Sequence, residues 1–225
     1  MKKTETEQAV VIAPEGKASA AVIWLHGLGA DGHDFEPIIP ELGLPSGHGV
    51  RFVFPHAPVR PITINNGFAM RAWYDIVSLG DLKKQDESGI RDSERIVHGY
   101  IEDERARGID PSKIILAGFS QGGAITLHTG LRYPEKLAGL LALSTYLPLG
   151  DKVEKEAKPE RRDTPILMCH GEYDQMLPML MGEYTRDALR ELRYQIDWHQ
   201  YPMAHQVCEE EIERIGAWLK ERLAL

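Results

Sequence analysis

Short apolar runs rich in β-branched residues alternate along this chain with longer segments in which apolar residues recur with a helical period of about 3.6. Six apolar runs predict strands, at residues 20–25, 50–54, 113–118, 137–144, 165–170 and 195–201. Four periodic segments predict helices, at residues 88–107, 121–132, 180–193 and 207–223. Because such alternation is typical of a parallel sheet covered on both faces, the sequence indicates an α/β fold.

Length and composition limit the number of domains and the kinds of partner that this chain can have. With 225 residues, 43% of them apolar and 27% charged, the chain is expected to form one domain over residues 1–225. A formal charge of −8 and the lack of a long basic stretch argue against a nucleic-acid partner. No apolar stretch reaches the roughly 20 residues of a membrane span, and the N-terminus does not resemble a signal peptide. We therefore expect a cytoplasmic protein without membrane insertion.

The two cysteines are compatible with either of two states. Cys169 and Cys208 could form a single disulfide, but free thiols in a reducing compartment fit a cytoplasmic chain of this size better.

Two stretches lack a regular apolar pattern. Residues 55–87 are long for a loop in a compact domain, and their segment NNGFAMRAWYDI carries aromatic residues suited to covering a site. Residues 151–163 are rich in charges, which predicts a solvated surface loop. Neither stretch is long enough for a large cap domain, so the functional site is expected to be a fairly open groove.

The segment LAGFSQGG follows the predicted strand 113–118 and begins the predicted helix 121–132. Within it, Gly118-Phe119-Ser120-Gln121-Gly122 matches the G-x-S-x-G nucleophile elbow. A serine on so sharp a turn adopts unfavourable backbone angles, and glycines on both sides remove the Cβ atoms that would collide with neighbouring elements. Ser120 is therefore the candidate nucleophile, and an ordinary strand-to-helix turn is the alternative.

A serine hydroxyl needs a base to remove its proton and a third group to orient that base. Asp174 follows the strand predicted at 165–170, and His205 follows the strand predicted at 195–201. Both therefore lie at the sheet edge that carries Ser120, in the chain order Ser, Asp, His. Glu172 is an alternative orienting acid. Two further acid and base candidates lie inside a predicted strand, where we expect ordinary face residues: Asp197 and His199.

An acyl-transfer site also needs hydrogen-bond donors for the oxyanion that forms on the substrate carbonyl. The backbone amide of Gln121, directly after the nucleophile, is one candidate. The turn HGLG after the strand 20–25 offers a second, the Leu28 amide, unless this turn is only a tight connector. The DGHD segment at residues 31–34 contains metal-ligand residue types without a recognised spacing, and no nucleotide-binding motif occurs, so we expect neither a metal nor a cofactor.

Five segments together resemble the phospholipase/carboxylesterase family of α/β-hydrolases, from about residue 22 to residue 217: HGLGADGHDF, PVRPITINNGFAMRAWYDI, ILAGFSQGGAITLHTGL, LALSTYLP and HGEYDQMLP. This family includes bacterial carboxylesterases and eukaryotic acyl-protein thioesterases, and NGFAMRAWYDI looks closer to the former. The resemblance implies a triad of Ser120, Asp174 and His205 and an oxyanion hole at Leu28 and Gln121. It also suggests four residues beside an acyl groove: Leu28, Trp73, Met176 and Leu177.

The resemblance implies a serine carboxylesterase that acts on short- to medium-chain carboxylic esters without a cofactor. One departure is PMAHQV, because relatives often place a glycine or a second small residue beside this histidine. Acyl-protein thioesterase or lysophospholipase activity is the alternative within the enzyme class, so the expected partner is a small ester or an acyl thioester. A non-catalytic binding protein on a hydrolase fold is the alternative outside it. The apolar loop around Trp73 suits self-association as well as substrate cover, which leaves a homodimer open.

Overall fold

The computed structural model describes residues 1–78, 84–158 and 162–225. Its centre is an eight-stranded sheet in the order β1-β2-β4-β3-β7-β8-β9-β10. The first two strands are antiparallel to their neighbours, and the other six run parallel. The strands are β1 (Lys2–Glu5), β2 (Ala9–Ala13), β3 (Ala20–Leu25), β4 (Val50–Pro55), β7 (Ile114–Phe119), β8 (Gly139–Leu143), β9 (Ile166–Gly171) and β10 (Ile196–Tyr201).

The six strands predicted from the apolar runs are confirmed, with boundaries that differ by at most two residues. Two strands at the amino end were not predicted, for different reasons. β1 is exposed along its whole length, so no apolar pattern marks it. β2 is a short apolar run whose pairing with β4 is antiparallel and depends on long-range contacts. Its first three residues are buried although a polar segment precedes it.

Helices cover both faces of the sheet, as predicted for an α/β-hydrolase. On one face, α1 (Glu87–Ala106), α2 (Gln121–Arg132) and α4 (Met179–Glu191) pack onto a core that includes Ile90, Ile125 and Leu189. On the other face, α5 (Glu209–Leu223) and a 3₁₀ helix at Glu36–Leu42 enclose a second core with Ile215 and Leu219. The four predicted helices are thus confirmed. Most of their charged residues are at least partly exposed, and the exceptions are Glu104, Arg132 and Glu211, which are buried.

The prediction of a loop over residues 151–163 was wrong in its first half. Residues Gly150–Glu156 form helix α3, and residues 159–161 lie outside the described part of the chain. Val153 is buried in the core, and the Glu156 carboxylate accepts a hydrogen bond from the Arg132 guanidinium at 2.7 Å. The burial of Val153 and ion pairs to neighbouring helices, including those of Glu156 with Arg91 and Arg132, fix the helix, whereas the charge run alone suggested only solvation.

The long stretch 55–87 contains a small antiparallel hairpin of β5 (Val59–Ile62) and β6 (Phe68–Arg71). Residues 79–83 within this stretch lie outside the described part. No large cap domain interrupts the described sheet, which agrees with the predicted open groove. Within the described ranges, no helix is both long enough and apolar enough to cross a membrane.

Candidate active site

Ser120 lies between the end of β7 and the first residue of α2, with backbone angles φ 54° and ψ −119°. L-residues rarely adopt a positive φ, so surrounding contacts must hold this conformation. The Ser120 amide donates to the carbonyl of Leu143 at 2.9 Å, and the Thr145 hydroxyl donates to the Ser120 carbonyl at 2.7 Å. The serine backbone is therefore fixed by the adjacent strand β8 and the loop that follows it.

The glycines of the motif are required by close backbone packing. A Cβ atom on Gly118 would lie 2.4 Å from the carbonyl carbon of Gly122, and one on Gly122 would lie 2.3 Å from the carbonyl oxygen of Leu25. Both distances are shorter than any van der Waals contact. Glycine at these positions lets α2 begin directly against β3 and β7, which raises Ser120 above the sheet edge.

His205 faces Ser120 from the loop after β10. Its Nε2 lies 2.9 Å from the Ser120 hydroxyl, and its Nδ1 lies 2.6 Å from Asp174 Oδ2. The ring packs against Phe119 at 4.7 Å between centroids. Because a carboxylate accepts at Nδ1, that nitrogen carries the proton and Nε2 is free to accept from the serine hydroxyl.

Asp174 is buried, and both of its carboxylate oxygens have donors. Oδ1 accepts from the backbone amides of Met176 and Leu177 at 2.9 and 2.8 Å, and Oδ2 accepts from His205. A Cβ atom on Gly171 would lie 2.4 Å from the Ala204 carbonyl oxygen, so glycine at the end of β9 lets the histidine loop approach the acid. These contacts hold the Asp174 carboxylate in one orientation toward His205.

The other acid and base candidates are engaged elsewhere. The exposed Glu172 carboxylate accepts from the Gln200 side-chain amide at 3.2 Å. On β10, the Asp197 carboxylate lies 2.8 Å from His199 Nε2 and forms an ion pair with Arg214. The described side chains therefore bring Asp174, rather than Glu172 or Asp197, to the histidine.

Leu28 and Gln121 border the same cavity as the serine. The Gly29 amide donates to the Arg71 carbonyl at 2.9 Å, and the Ala30 amide donates to the Gly27 carbonyl at 3.3 Å. Within the described part of the chain, the Leu28 amide has no such partner. The Gln121 amide belongs to the first turn of α2, where amides lack intrahelical acceptors. The two amides proposed for the oxyanion are thus available, and the positive end of the helix dipole adds to their field.

A cavity of about 460 Å³ opens beside Ser120 and His205. Its walls are mostly apolar and include Ile64, Tyr74, Ile76, Phe119 and Tyr146, with the carboxylate residue Asp34 also on its lining. The hydroxyls of Tyr74 and Tyr146 are hydrogen-bonded at 2.8 Å. No motif in the sequence marks these wall residues, although Ile64, Tyr74 and Ile76 belong to the 55–87 stretch, whose aromatic residues predict cover for the site.

Three side chains suggested for the acyl groove occupy different environments. Met176 lines the cavity and is 62% exposed, and Leu177 lines it at 5% exposure. Trp73 was placed wrongly: it has 0% exposure and lies in the core, while the adjacent Tyr74 borders the cavity. The Trp73 indole points toward the loop after β3, where its Nε1 donates to the carbonyl of His26 at 2.9 Å.

The DGHD segment contributes one side chain to a group with metal-ligand residue types. Among the described residues, Glu5, His33 and His56 bring ligand atoms within 4.8 Å of one another. However, the Gly32 amide donates to His56 Nδ1 at 3.0 Å, which leaves the proton of a neutral ring on Nε2. His33 Nε2 also lies 3.2 Å from the Glu5 carboxylate. The arrangement is a hydrogen-bonded surface cluster.

Residues 6–223 match the family described as phospholipase/carboxylesterase. The chain belongs to this family. Its membership agrees with the resemblance inferred from the five segments and makes the protein a hydrolase of carboxylic esters.

Relatives within this family carry both esterase and thioesterase names. An acyl-protein thioesterase 1 from Neurospora crassa is 39% identical over 223 residues, which is 95% of this chain and 91% of that protein. A protein named as a probable carboxylesterase from Oryza sativa subsp. japonica is 36% identical over 221 residues, covering 95% of this chain and 83% of the other. The crystal structure of Arabidopsis thaliana SOBER1 superposes with a TM-score of 0.85 at 34% identity, covering 91% and 99% of the two chains. Family membership thus establishes the reaction class and leaves the substrate open.

Proposed function

We propose that the protein is a serine carboxylesterase that hydrolyses short- to medium-chain carboxylic esters through an acyl-enzyme on Ser120. The hydrogen-bonded chain from Ser120 through His205 to Asp174, which opens into an apolar cavity, carries this proposal. A binding protein would not need a nucleophile, a base and an orienting acid in such order. No cofactor enters the proposed reaction.

The proposed reaction proceeds in two acyl transfers. His205 Nε2 accepts the proton of Ser120 while Oγ attacks the ester carbonyl, and the Leu28 and Gln121 amides donate to the resulting oxyanion. Asp174 stabilises the imidazolium that forms. The C–O bond to the leaving alcohol then breaks, and His205 gives its proton to the departing oxygen. Water repeats the attack on the acyl-enzyme, which releases the acid and restores the serine.

The size and lining of the cavity support acyl chains of limited length. A volume of about 460 Å³ lies in the lower half of the roughly 300–1,000 Å³ range of ligand pockets. The hydrogen-bonded tyrosines, buried Tyr74 and half-buried Tyr146, bound part of the cavity and leave mainly apolar surface for the acyl group. An acyl-protein thioesterase or lysophospholipase is the second candidate, supported by the names of relatives such as that from Neurospora crassa.

The first experiment replaces Ser120 by alanine. We expect Ser120→Ala to lower kcat/KM for p-nitrophenyl butyrate by at least about 10⁴-fold with an unchanged circular dichroism spectrum, since acyl transfer loses its nucleophile. Covalent labelling with a fluorophosphonate should disappear in the same variant. Retained turnover or retained labelling in the folded variant contradicts the assignment of Ser120.

The second measurement separates the two candidate substrates. kcat/KM is measured for p-nitrophenyl esters from acetate to palmitate and for matched acyl thioesters of the same lengths. A maximum at short esters supports the carboxylesterase, while a rise toward long thioesters assigns the site to the thioesterase candidate. Absence of turnover above the Ser120→Ala background at every length leaves only the binding-protein alternative.

A further inference from the structure

Trp73 links the two loops that carry the proposed oxyanion donors, although it does not touch the cavity. Its backbone amide donates to Gln121 Oε1 at 2.8 Å, and its indole Nε1 donates to the His26 carbonyl at 2.9 Å. Gln121 is the residue whose own amide is one of the two proposed oxyanion donors, and His26 begins the turn that contains Leu28, the residue of the other. One buried residue therefore contacts both sides of the oxyanion site.

The Gln121 side chain forms two hydrogen bonds with the backbone of residues 73 and 74. Its Oε1 accepts from the Trp73 amide, and its Nε2 donates to the Tyr74 carbonyl at 2.7 Å. Both side-chain polar atoms are satisfied by backbone groups, and the residue is buried. These two hydrogen bonds fix Gln121, the first residue of α2, to the backbone of Trp73 and Tyr74.

The second contact holds the turn after β3. The His26 ring packs against the Trp73 indole at 5.4 Å between centroids, and its Nε2 accepts from the Ala57 amide at 3.0 Å. Burial lowers the pKa of His26 to about 4, so the ring stays neutral with its proton on Nδ1, which lies 2.7 Å from the Gly27 carbonyl oxygen. The turn preceding the Leu28 amide is thus held by directed hydrogen bonds on two sides.

A third contact immobilises Trp73 itself. Its carbonyl accepts a hydrogen bond from the hydroxyl of Ser93, which is fully buried on α1. The amide, carbonyl and indole nitrogen of this single residue are therefore all hydrogen-bonded to three different elements. The indole hydrogen bond satisfies a buried N–H and also attaches the Trp73 side chain to the turn after β3.

We propose that Trp73 is a positioning residue that sets the separation of the Leu28 and Gln121 amides, with the Gln121 side chain as its second anchor. This inference rests on the proposed function, because it concerns the oxyanion of that reaction. The geometry of oxyanion donors matters more in the transition state than in the bound substrate. Removing a hydrogen bond between Trp73 and either oxyanion loop should therefore lower kcat while KM changes little.

The chain provides a matched control for loss of an indole. Trp24 lies in the other core, is also almost fully buried, and its Nε1 has no hydrogen-bond partner among the described residues. Trp24→Phe and Trp73→Phe remove similar volumes from buried sites. Only the second substitution breaks a hydrogen bond to the turn that carries Leu28.

The test measures kcat and KM for both variants. The concentration of active serines is titrated with a fluorophosphonate, and kcat is expressed per active serine. We expect Trp73→Phe to lower kcat about tenfold with KM within twofold of the wild type, which is less than the roughly 10²–10³-fold loss of a whole oxyanion donor. The affinity for a boronic acid inhibitor, which becomes tetrahedral when it adds to the serine, should fall by the same factor as kcat/KM. Trp24→Phe should keep kcat within twofold even where it lowers the melting temperature.

Gln121→Met tests the other anchor and covers the case in which Trp73→Phe does not fold. It should also lower kcat, and the double variant should lose less than the product of the two single losses, since both substitutions break one linked unit. Unchanged kcat per titrated serine in the folded single variants, or a loss confined to KM, overturns the proposal. These outcomes differ from failure of the proposed function, in which the wild type itself shows no turnover above Ser120→Ala.

Discussion

At the scale of single residues, close backbone contacts decide which residues the turn around Ser120 can accept. Gly122 lies on the first turn of α2, and any Cβ atom there would meet the carbonyl oxygens of Leu25 and His26 at 2.3 and 2.6 Å. Neither oxygen can rotate away, because both belong to the main chain at the end of β3. The contact of Gly122 with these two carbonyl oxygens therefore positions both Ser120 and the turn that contains Leu28.

Substitution of Gly122 by alanine should affect stability and catalysis together. We expect Gly122→Ala to lower the free energy of unfolding by on the order of 1–3 kcal/mol, because α2 must shift away from β3 to relieve the overlap. Esterase activity should fall more than the folded fraction does, since the shift moves Ser120 and the Gln121 amide. Urea unfolding and kcat/KM on the same samples check both effects.

Gly99 is the control for this substitution. It lies in the interior of α1, and a Cβ atom there would meet no atom within 4 Å apart from the nearby backbone of its own helix. Gly99→Ala should raise stability by about 0.5–1 kcal/mol through helix propensity and leave kcat/KM unchanged. Equal stability changes in the two variants would contradict the contact argument for Gly122.

At the scale of elements, helix α5 begins with three acidic residues that differ in their surroundings. Glu209 and Glu210 face solvent, where the helix dipole favours negative charge. Glu211 is fully buried, and burial raises the pKa of its carboxyl group to about 8, against smaller opposing contributions from the Cys208 backbone and the Cys169 thiol. At neutral pH this carboxyl group is mostly protonated in the folded protein and ionised in the unfolded chain.

The sign of the resulting pH dependence follows from proton binding. Between pH 4.5 and 8 the folded state binds more protons at Glu211 than the unfolded state, so its contribution to stability falls as pH rises and becomes constant above about pH 8. We expect Glu211→Gln to remove this penalty, with a gain that is absent at pH 4, grows through neutral pH and reaches a few kcal/mol at pH 9. Urea unfolding at several pH values measures the gain.

An exposed glutamate of the same helix supplies the comparison. Glu213 lies two residues further along α5 on its solvent side, and Glu213→Gln should show no gain that grows with pH. A pH-independent difference between Glu211→Gln and the wild type would mean that Glu211 is ionised in the folded state.

At the scale of the molecule, two apolar cores on opposite faces of the sheet supply the stability. Both cysteines are free: Cys169 is buried, with its pKa raised well above the usual range by burial, and Cys208 is half-buried. Of the two states left open by the sequence, free thiols are the one found. Single-domain behaviour over residues 1–225, cytoplasmic location and self-association remain predictions.

A reductant should therefore leave the global stability unchanged. We expect the same melting temperature with and without dithiothreitol, since no cross-link restricts the unfolded chain. Thiol titration of the native protein should modify Cys208 first, and Cys169 should react only after denaturation. A lower melting temperature under reducing conditions would indicate a disulfide in solution.

Much of this arrangement could be predicted because it is encoded locally. Apolar runs of strand length and helical periods identified six strands and four helices, and the order of Ser120, Asp174 and His205 placed all three at one sheet edge. The triad geometry follows from that topology, since the carboxyl ends of parallel strands are adjacent.

The remaining features depend on contacts between segments distant in sequence. An exposed strand such as β1 and a short charged helix such as α3 lack a local apolar signal, so only their partners reveal them. Trp73 and Tyr74 are adjacent aromatic residues, and nothing in their order indicates which one faces the cavity. Packing decided that Tyr74 borders the cavity and that Trp73 turns inward to the His26 carbonyl. The sequence by itself determined the fold class and the candidate triad, while the tertiary structure decided the cavity wall and the link between the oxyanion loops, because burial and hydrogen-bond pairing are settled only when distant segments meet.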